Sequence, residues 1–192
     1  MALEEPPESL EGFPEVVLDE GVVLTRIHRG ESEPLFFSTS GRGRFDINPQ
    51  GTLYLAADEL GAFVEVFRGR LVPVDEVAVR RLAVVRLRAS ATVADLTSAA
   101  SRGFGVTAAI HASSDYALCR RWASALHRHG FEGILYRLSH DPSGESIGIA
   151  LFGPPDEALS KLVVAEDEPI GDELVERVRA RFGVLVLPVH HR

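Results

Sequence analysis

The stretch TLYLAADELGAFVEVF, Thr52 to Phe67, decides how this chain is read. Its first part, TLYLAA, is an apolar and aromatic run that predicts a strand carrying Tyr54. Asp58 then stands at a helix N-cap position, ahead of Leu60, Ala62, Phe63, Val64, Val66 and Phe67. Near the end of that short predicted helix sits one carboxylate, Glu65, among apolar neighbours. Removing a carboxylate from water is costly, so its placement needs a reason.

Working outward, GVVLTRIHR (Gly21 to Arg29) is rich in β-branched residues and predicts a strand carrying Arg26. STSGRGRFDINPQG (Ser38 to Gly51) collects Gly, Ser, Asn and Pro and predicts a loop. RLAVVRLRA (Arg81 to Ala89) predicts another strand, and TVADLTSAAS opens with Thr92 and Asp95 at capping-box spacing, which predicts a short helix. Ser114 to His129 carries the clearest helical pattern, with Tyr116, Cys119, Ala123 and Leu126 on one face and Gly130 as the stop. GILYRL and SIGIALF, joined by SHDPSGE, predict a hairpin; DELVERVRARFG predicts a helix and VLVLP a final strand. Strands outnumber long helices without alternating strictly with them. That pattern predicts an α+β fold with a mixed sheet rather than a doubly wound parallel one.

The chain has 192 residues, 45% hydrophobic and 25% charged, the profile of a globular protein with one domain. The acidic, proline-containing start predicts a mobile segment over residues 1–20, ahead of a single domain over 21–192. A chain of this size buries roughly 70% of its unfolded surface, enough for a core with a walled cleft. The net charge of -8 argues against direct nucleic-acid binding, which relies on clustered Lys and Arg. Arg42 with Arg44 is still compatible with a small phosphorylated ligand. One cysteine, Cys119, forms no internal disulfide, and no run reaches the ~20 apolar residues that cross a bilayer. The expected setting is cytoplasmic, with no membrane association.

Metal and nucleotide signatures are missing: there is no CxxC, no HExxH, no Walker loop and no GxGxxG between a strand and a helix. His127 and His129 point to different sides of a helix, His190 and His191 lie at the terminus, and all four read as structural. Cys119 reads as a small buried hydrophobe. GRGRF is more suggestive, because glycines let backbone N–H groups approach an anion and an arginine fork binds two phosphate oxygens. Taken singly, Arg26 suits an exposed strand position, Tyr54 a core aromatic with a wetted hydroxyl, and Glu65 a helix surface. Their joint occurrence around the Gly-Arg loop is what favours a site.

In order, LTRIHR, GRGRF, GTLYLA, AFVEVF and GILYRLSHDPSGESIGIALF resemble the RES domain family over roughly residues 22–153. The resemblance implies a fold like the ADP-ribosyltransferases of the diphtheria-toxin type, with a largely antiparallel sheet and short helices. It implies a toxin of a bacterial toxin–antitoxin pair, partnered by a helix-turn-helix (Xre-type) antitoxin. NAD⁺ is the implied substrate, cleaved at the nicotinamide–ribose bond by water or phosphate, with no metal. ADP-ribose transfer to a protein target is the alternative, a silent nucleotide- or protein-binding module a second, and an unrelated small-molecule-binding α+β protein a third; a homo-oligomer stays open.

By position, the resemblance assigns Arg26 to the family arginine of the first strand, Tyr54 to the tyrosine of the LYLA strand, and Glu65 to the glutamate of the next helix. Arg44 fits the arginine of the Gly-rich loop. Two positions depart. The family reads Tyr, any residue, Ser near Tyr136, whereas Leu138 stands there and Ser139 comes one place later. A shift by one residue along a strand sends a side chain to the opposite face. Asp46 stands where Asn is expected, which removes a donor. In this reading Glu65, Arg26 and Tyr54 carry the chemistry, and Arg26, Arg44, Tyr54 and Ser139 bind the dinucleotide. Glu65 would steady a sugar as it turns cationic, the arginines clamp the diphosphate or ribose, and Tyr54 offers a face for nicotinamide while its hydroxyl helps position the amide.

Overall fold

The computed structural model describes residues 3–154 and 160–188. Strands β1 (Glu15–Leu18), β2 (Val23–Arg29), β3 (Thr52–Ala56), β5 (Arg80–Leu87), β6 (Ala91–Asp95), β7 (Gly133–Arg137), β8 (Ile147–Phe152) and β9 (Leu162–Pro169) form one sheet in the order β1-β6-β7-β8-β3-β2-β5-β9. Only β6 and β7 run parallel; every other neighbouring pair is antiparallel. A second, two-stranded sheet pairs β4 (Leu71–Pro73) with β10 (Leu185–Leu187) in parallel. The helices are α1 (Glu59–Phe67), α2 (Val74–Ala78), α3 (Ala109–Ala112), α4 (Tyr116–Arg128) and α5 (Asp172–Phe182), with a 3₁₀ turn at Ala99–Phe104. This is the expected α+β architecture with a mixed, mostly antiparallel sheet.

Side-chain alternation on the central strands builds two cores. Leu53 and Leu55 of β3 and Ile149 and Leu151 of β8 face one side, with Leu24, Val85, Leu87 and Val93. Tyr54, Ala56, Ala150 and Phe152 face the other, against Phe63 of α1, Trp122 and Leu126 of α4, and Leu174 and Val178 of α5. Phe63 is wholly buried there, which contributes about 1.5–3 kcal/mol. The helices thus lie on the face that carries Tyr54.

Two expectations need correcting. Residues 3–18 of the expected mobile segment are packed: Leu3, Leu10 and Phe13 are buried in the helix-side core and β1 pairs with β6 along its length. Trp122 Nε1 donates to the Glu4 carbonyl at 2.8 Å, and Arg121 pairs with Glu5 at 2.7 Å. Isolated apolar residues of this kind have no periodicity to announce them. The Thr92–Asp95 pattern is likewise not a helix start but the middle and end of β6, where pairing to β1 and β7 overrides the local cue. Asp95 does cap, but in a turn: its Oδ1 accepts from Thr97 N at 2.8 Å, Thr97 Oγ1 at 2.6 Å and Ser98 N at 3.2 Å. Ser98 then caps the 3₁₀ turn through Ala100 N. Of the histidines, His129 accepts from Leu10 N at 3.3 Å, whereas His190 and His191 lie outside the described residues.

Candidate active site

Helix α1 begins as its sequence predicts, with Asp58 Oδ1 accepting from Gly61 N at 2.7 Å. It ends on Arg68, whose φ of 52° is left-handed, a conformation costing a non-glycine residue about 1–2 kcal/mol. Arg68 is secured there by its own N–H to the Val64 carbonyl at 3.0 Å and by Nε to the Glu65 carbonyl at 3.1 Å. Phe63 and Val64 are buried while Glu65, at 29% side-chain exposure, turns toward a hollow. Its placement is therefore half-buried rather than sealed in the apolar core.

That hollow is a cleft of about 410 Å³, and Arg26, Arg44, Tyr54 and Glu65 all line it. Arg42, Arg68, Tyr116, Tyr136 and Leu138 join them. Four guanidinium groups and one carboxylate make this a cationic pocket on an acidic chain. Burial lowers Arg26 to about 10, which leaves it charged at neutral pH. Burial first, then the nearby Asp46 carboxylate, raises the Tyr54 phenol; burial first, then Glu65, raises that of Tyr136. Both phenols keep their protons.

The Gly-Arg loop is organised by the residue that departs from the family pattern. Buried Asp46 accepts from Tyr54 OH at 2.9 Å through Oδ1, and from Ser38 Oγ at 3.1 Å, Ser40 Oγ at 3.1 Å and Gly43 N at 3.0 Å through Oδ2. Tyr54 OH in turn accepts from Phe45 N at 2.8 Å. A carboxylate offers acceptors only, which suits four donors converging on one point. Gly43 is obligatory here, since a Cβ would lie 2.2 Å from Asp46 Oδ1 and 2.5 Å from Tyr54 OH. The Tyr54 hydroxyl thus fastens the loop, and the same residue lines the cleft.

Arg44 crosses to the helical side. Its Nη1 donates to the Ser113 carbonyl at 2.6 Å, and its guanidinium sits 4.7 Å from the Tyr116 ring centroid. Glu65 Oε2 pairs with His140 Nδ1 at 3.0 Å, and Ser139 Oγ lies 3.2 Å from the same nitrogen. Ser139 does not line the cleft; Leu138 does, as the one-residue shift implied. Ser139 touches the site only through His140. Glu65 Oε1 and His140 Nε2 have no hydrogen-bond partner among the described residues. Neighbouring Asp141 steadies the turn: burial would raise its carboxyl, but bonds from Ser146 and Ser143 outweigh that and bring it to about 2.

Sequence reasoning missed Tyr116, Tyr136, Arg68 and His140. Tyr116 was read only as part of the apolar face of α4. Arg68 enters because of a left-handed backbone that no side-chain pattern announces. His140 lies far from Glu65 in sequence, so only the strand order could bring the two together. Among the described residues no cluster of His, Cys, Asp or Glu could hold a metal ion, and no helix is long and apolar enough to cross a membrane.

A model of the RES domain matches residues 23–171, most of the chain. The structure is similar to a chain in the crystal structure of the M. tuberculosis MbcT–MbcA toxin–antitoxin complex. The TM-score is 0.68 at 17% identity, over 85% of this chain and 92% of that one. Among curated proteins, none matches.

Proposed function

The chain belongs to the RES domain family, and from that premise we propose that it is an NAD⁺-consuming toxin that breaks the nicotinamide–ribose bond. The observation that carries this reading is the single cleft in which Glu65 faces guanidinium groups and tyrosine rings. Its volume lies in the range of small-molecule sites.

In the proposed reaction the bond between ribose C1″ and the nicotinamide nitrogen breaks, and nicotinamide leaves with the electron pair as a neutral molecule. The leaving group is good, so little acid catalysis is required. The sugar becomes oxocarbenium-like, and the oxygen of water or phosphate closes on C1″, with any proton released passing to solvent. Glu65 Oε1, without a partner among the described residues, would accept from a ribose hydroxyl, and its charge favours the cationic sugar. His140 holds the other oxygen, so the carboxylate is aimed before substrate arrives. Tyr54 and Tyr136 offer ring surface to the nicotinamide. A guanidinium group of the cleft meets the diphosphate with charge-assisted hydrogen bonds.

The solved neighbour comes from a toxin–antitoxin complex, which supports the further proposal that a cognate antitoxin, of helix-turn-helix type by the family resemblance, holds this chain in check. The test is to incubate the protein with NAD⁺ labelled in its adenylate half and follow nicotinamide release. Free labelled ADP-ribose or its 1″-phosphate is the expected product. Label carried on protein would instead mark ADP-ribosyl transfer, and no loss of NAD⁺ would reject the reading.

A further inference from the structure

The four arginines of the cleft are not equivalent. Arg26 Nη1 donates to the Phe36 carbonyl at 3.0 Å, and Arg68 Nε to that of Glu65 at 3.1 Å. Arg44 is the most committed, with Nη1 on the Ser113 carbonyl at 2.6 Å and its plane against Tyr116 at 4.7 Å. The Arg42 side chain makes no hydrogen bond or ion pair with any described residue. Arg42 is exposed and lines the cleft, and its donors are unengaged among the described residues.

Its backbone, by contrast, is fixed on both sides. Arg42 N donates to Ser40 Oγ at 3.2 Å, Ser40 Oγ donates to Asp46 at 3.1 Å, and Gly43 N donates to the same carboxylate at 3.0 Å. Gly41 takes a left-handed φ of 67° beside it. A held backbone confines the ordering cost of binding to the side chain itself, and an unengaged guanidinium breaks no bond to receive an anion. We propose that Arg42 is the residue that grips the diphosphate of the substrate, and that Arg44, expected to do so, is a strut tying the Gly-Arg loop to the start of α4. This rests on the NAD⁺ reading above and adds which part of the substrate each arginine meets.

The test uses the full chain and two probes, ADP-ribose, which carries the diphosphate, and nicotinamide riboside, which lacks phosphate. Binding is measured by calorimetry at low and high salt, beside NAD⁺ turnover and thermal melting. Measurable ADP-ribose binding and NAD⁺ turnover by the parent protein secure the underlying reading; absence of both overturns that reading and this assignment together. With the parent binding, Arg42→Ala weakens ADP-ribose by about 10- to 100-fold, leaves nicotinamide riboside and the melting temperature unchanged, and flattens the salt dependence. Arg42→Lys recovers part of the affinity, because the charge returns without the fork. Arg44→Ala lowers the melting temperature and costs less ADP-ribose affinity than Arg42→Ala does. If the parent binds ADP-ribose and Arg42→Ala binds it equally well, or if Arg44→Ala carries the larger loss with no change in melting, the division of roles is wrong.

Discussion

Among the described residues two histidine–carboxylate pairs lie at nearly the same distance, in different settings. At the β2–β5–β9 edge, His28 Nε2 lies 3.1 Å from Asp167 Oδ1, while its Nδ1 meets the carbonyls of Arg29 at 2.9 Å and Ser32 at 3.0 Å. Arg81 Nε reaches the same Asp167 oxygen at 3.0 Å. Burial would raise the Asp167 carboxyl, but the bonds from His28 and Arg81 outweigh it and hold it below the usual carboxylate range. The His28 side chain is 3% exposed, and both ring nitrogens are engaged. Between α1 and the β7–β8 turn, Glu65 and His140 pair at 3.0 Å with both side chains 29% exposed. Each keeps one polar atom without a protein partner among the described residues. Matching chemistry in two settings separates the pairs by saturation: the saturated pair ties strands together, and the unsaturated one leaves a carboxylate oxygen for the ligand proposed above.

The contrast is sharpest at Glu65. Glu65→Gln keeps the shape and removes the charge, and NAD⁺ turnover should fall by about 10²–10³-fold with an unchanged circular dichroism spectrum. Full turnover in that variant would erase the distinction. His28→Ala should do the reverse, lowering unfolding free energy in urea by roughly 2–3 kcal/mol, with turnover per folded molecule intact. A comparable loss of turnover would mean that the sheet edge also serves the cleft. His140→Ala should lower kcat about tenfold and shift melting little, since the Glu65 carboxylate loses its aim. The smallest effect belongs to Asp141, whose carboxyl sits at about 2 in the fold, below the ~3.9 of an unfolded chain. Its contribution is fully present above about pH 4 and is lost as pH falls through about 2. Asp141→Asn should therefore be ~1–2 kcal/mol less stable at pH 7, a gap that closes on acidification when melts are run from pH 7 to pH 2.

Much of the fold could be read from the chain because its central strands alternate cleanly. Leu53 and Leu55 announce one face and Tyr54 and Ala56 the other, and Asp58 marks the helix start that places Glu65. Legibility failed where a local signal had two meanings. Thr92 and Asp95 have the spacing of a capping box, yet Asp95 bonds forward to Thr97 and Ser98 in a turn, and only the strands on either side of β6 settle which meaning holds. Leu3, Leu10 and Phe13 fill the core from a segment with no pattern of its own. At the cleft, Arg26, Tyr54 and Glu65 were named from the chain, whereas Tyr116 and Tyr136, though on predicted elements, were read for packing or motif alone. Arg68 and His140 are delivered by a backbone twist and by strand order that no local pattern announces. Asp46 was visible as a departure, but its use was not: a lost donor in the sequence is a gained acceptor in space.

That acceptor sets what the position can hold. Ser38, Ser40, Gly43 and Tyr54 all converge on the one carboxylate of Asp46. Asparagine there would replace one oxygen with an amide donor, and a hydroxyl facing it could turn round and accept. The Gly43 N–H has no such freedom, so the loop would keep its shape only with the remaining oxygen turned toward Gly43.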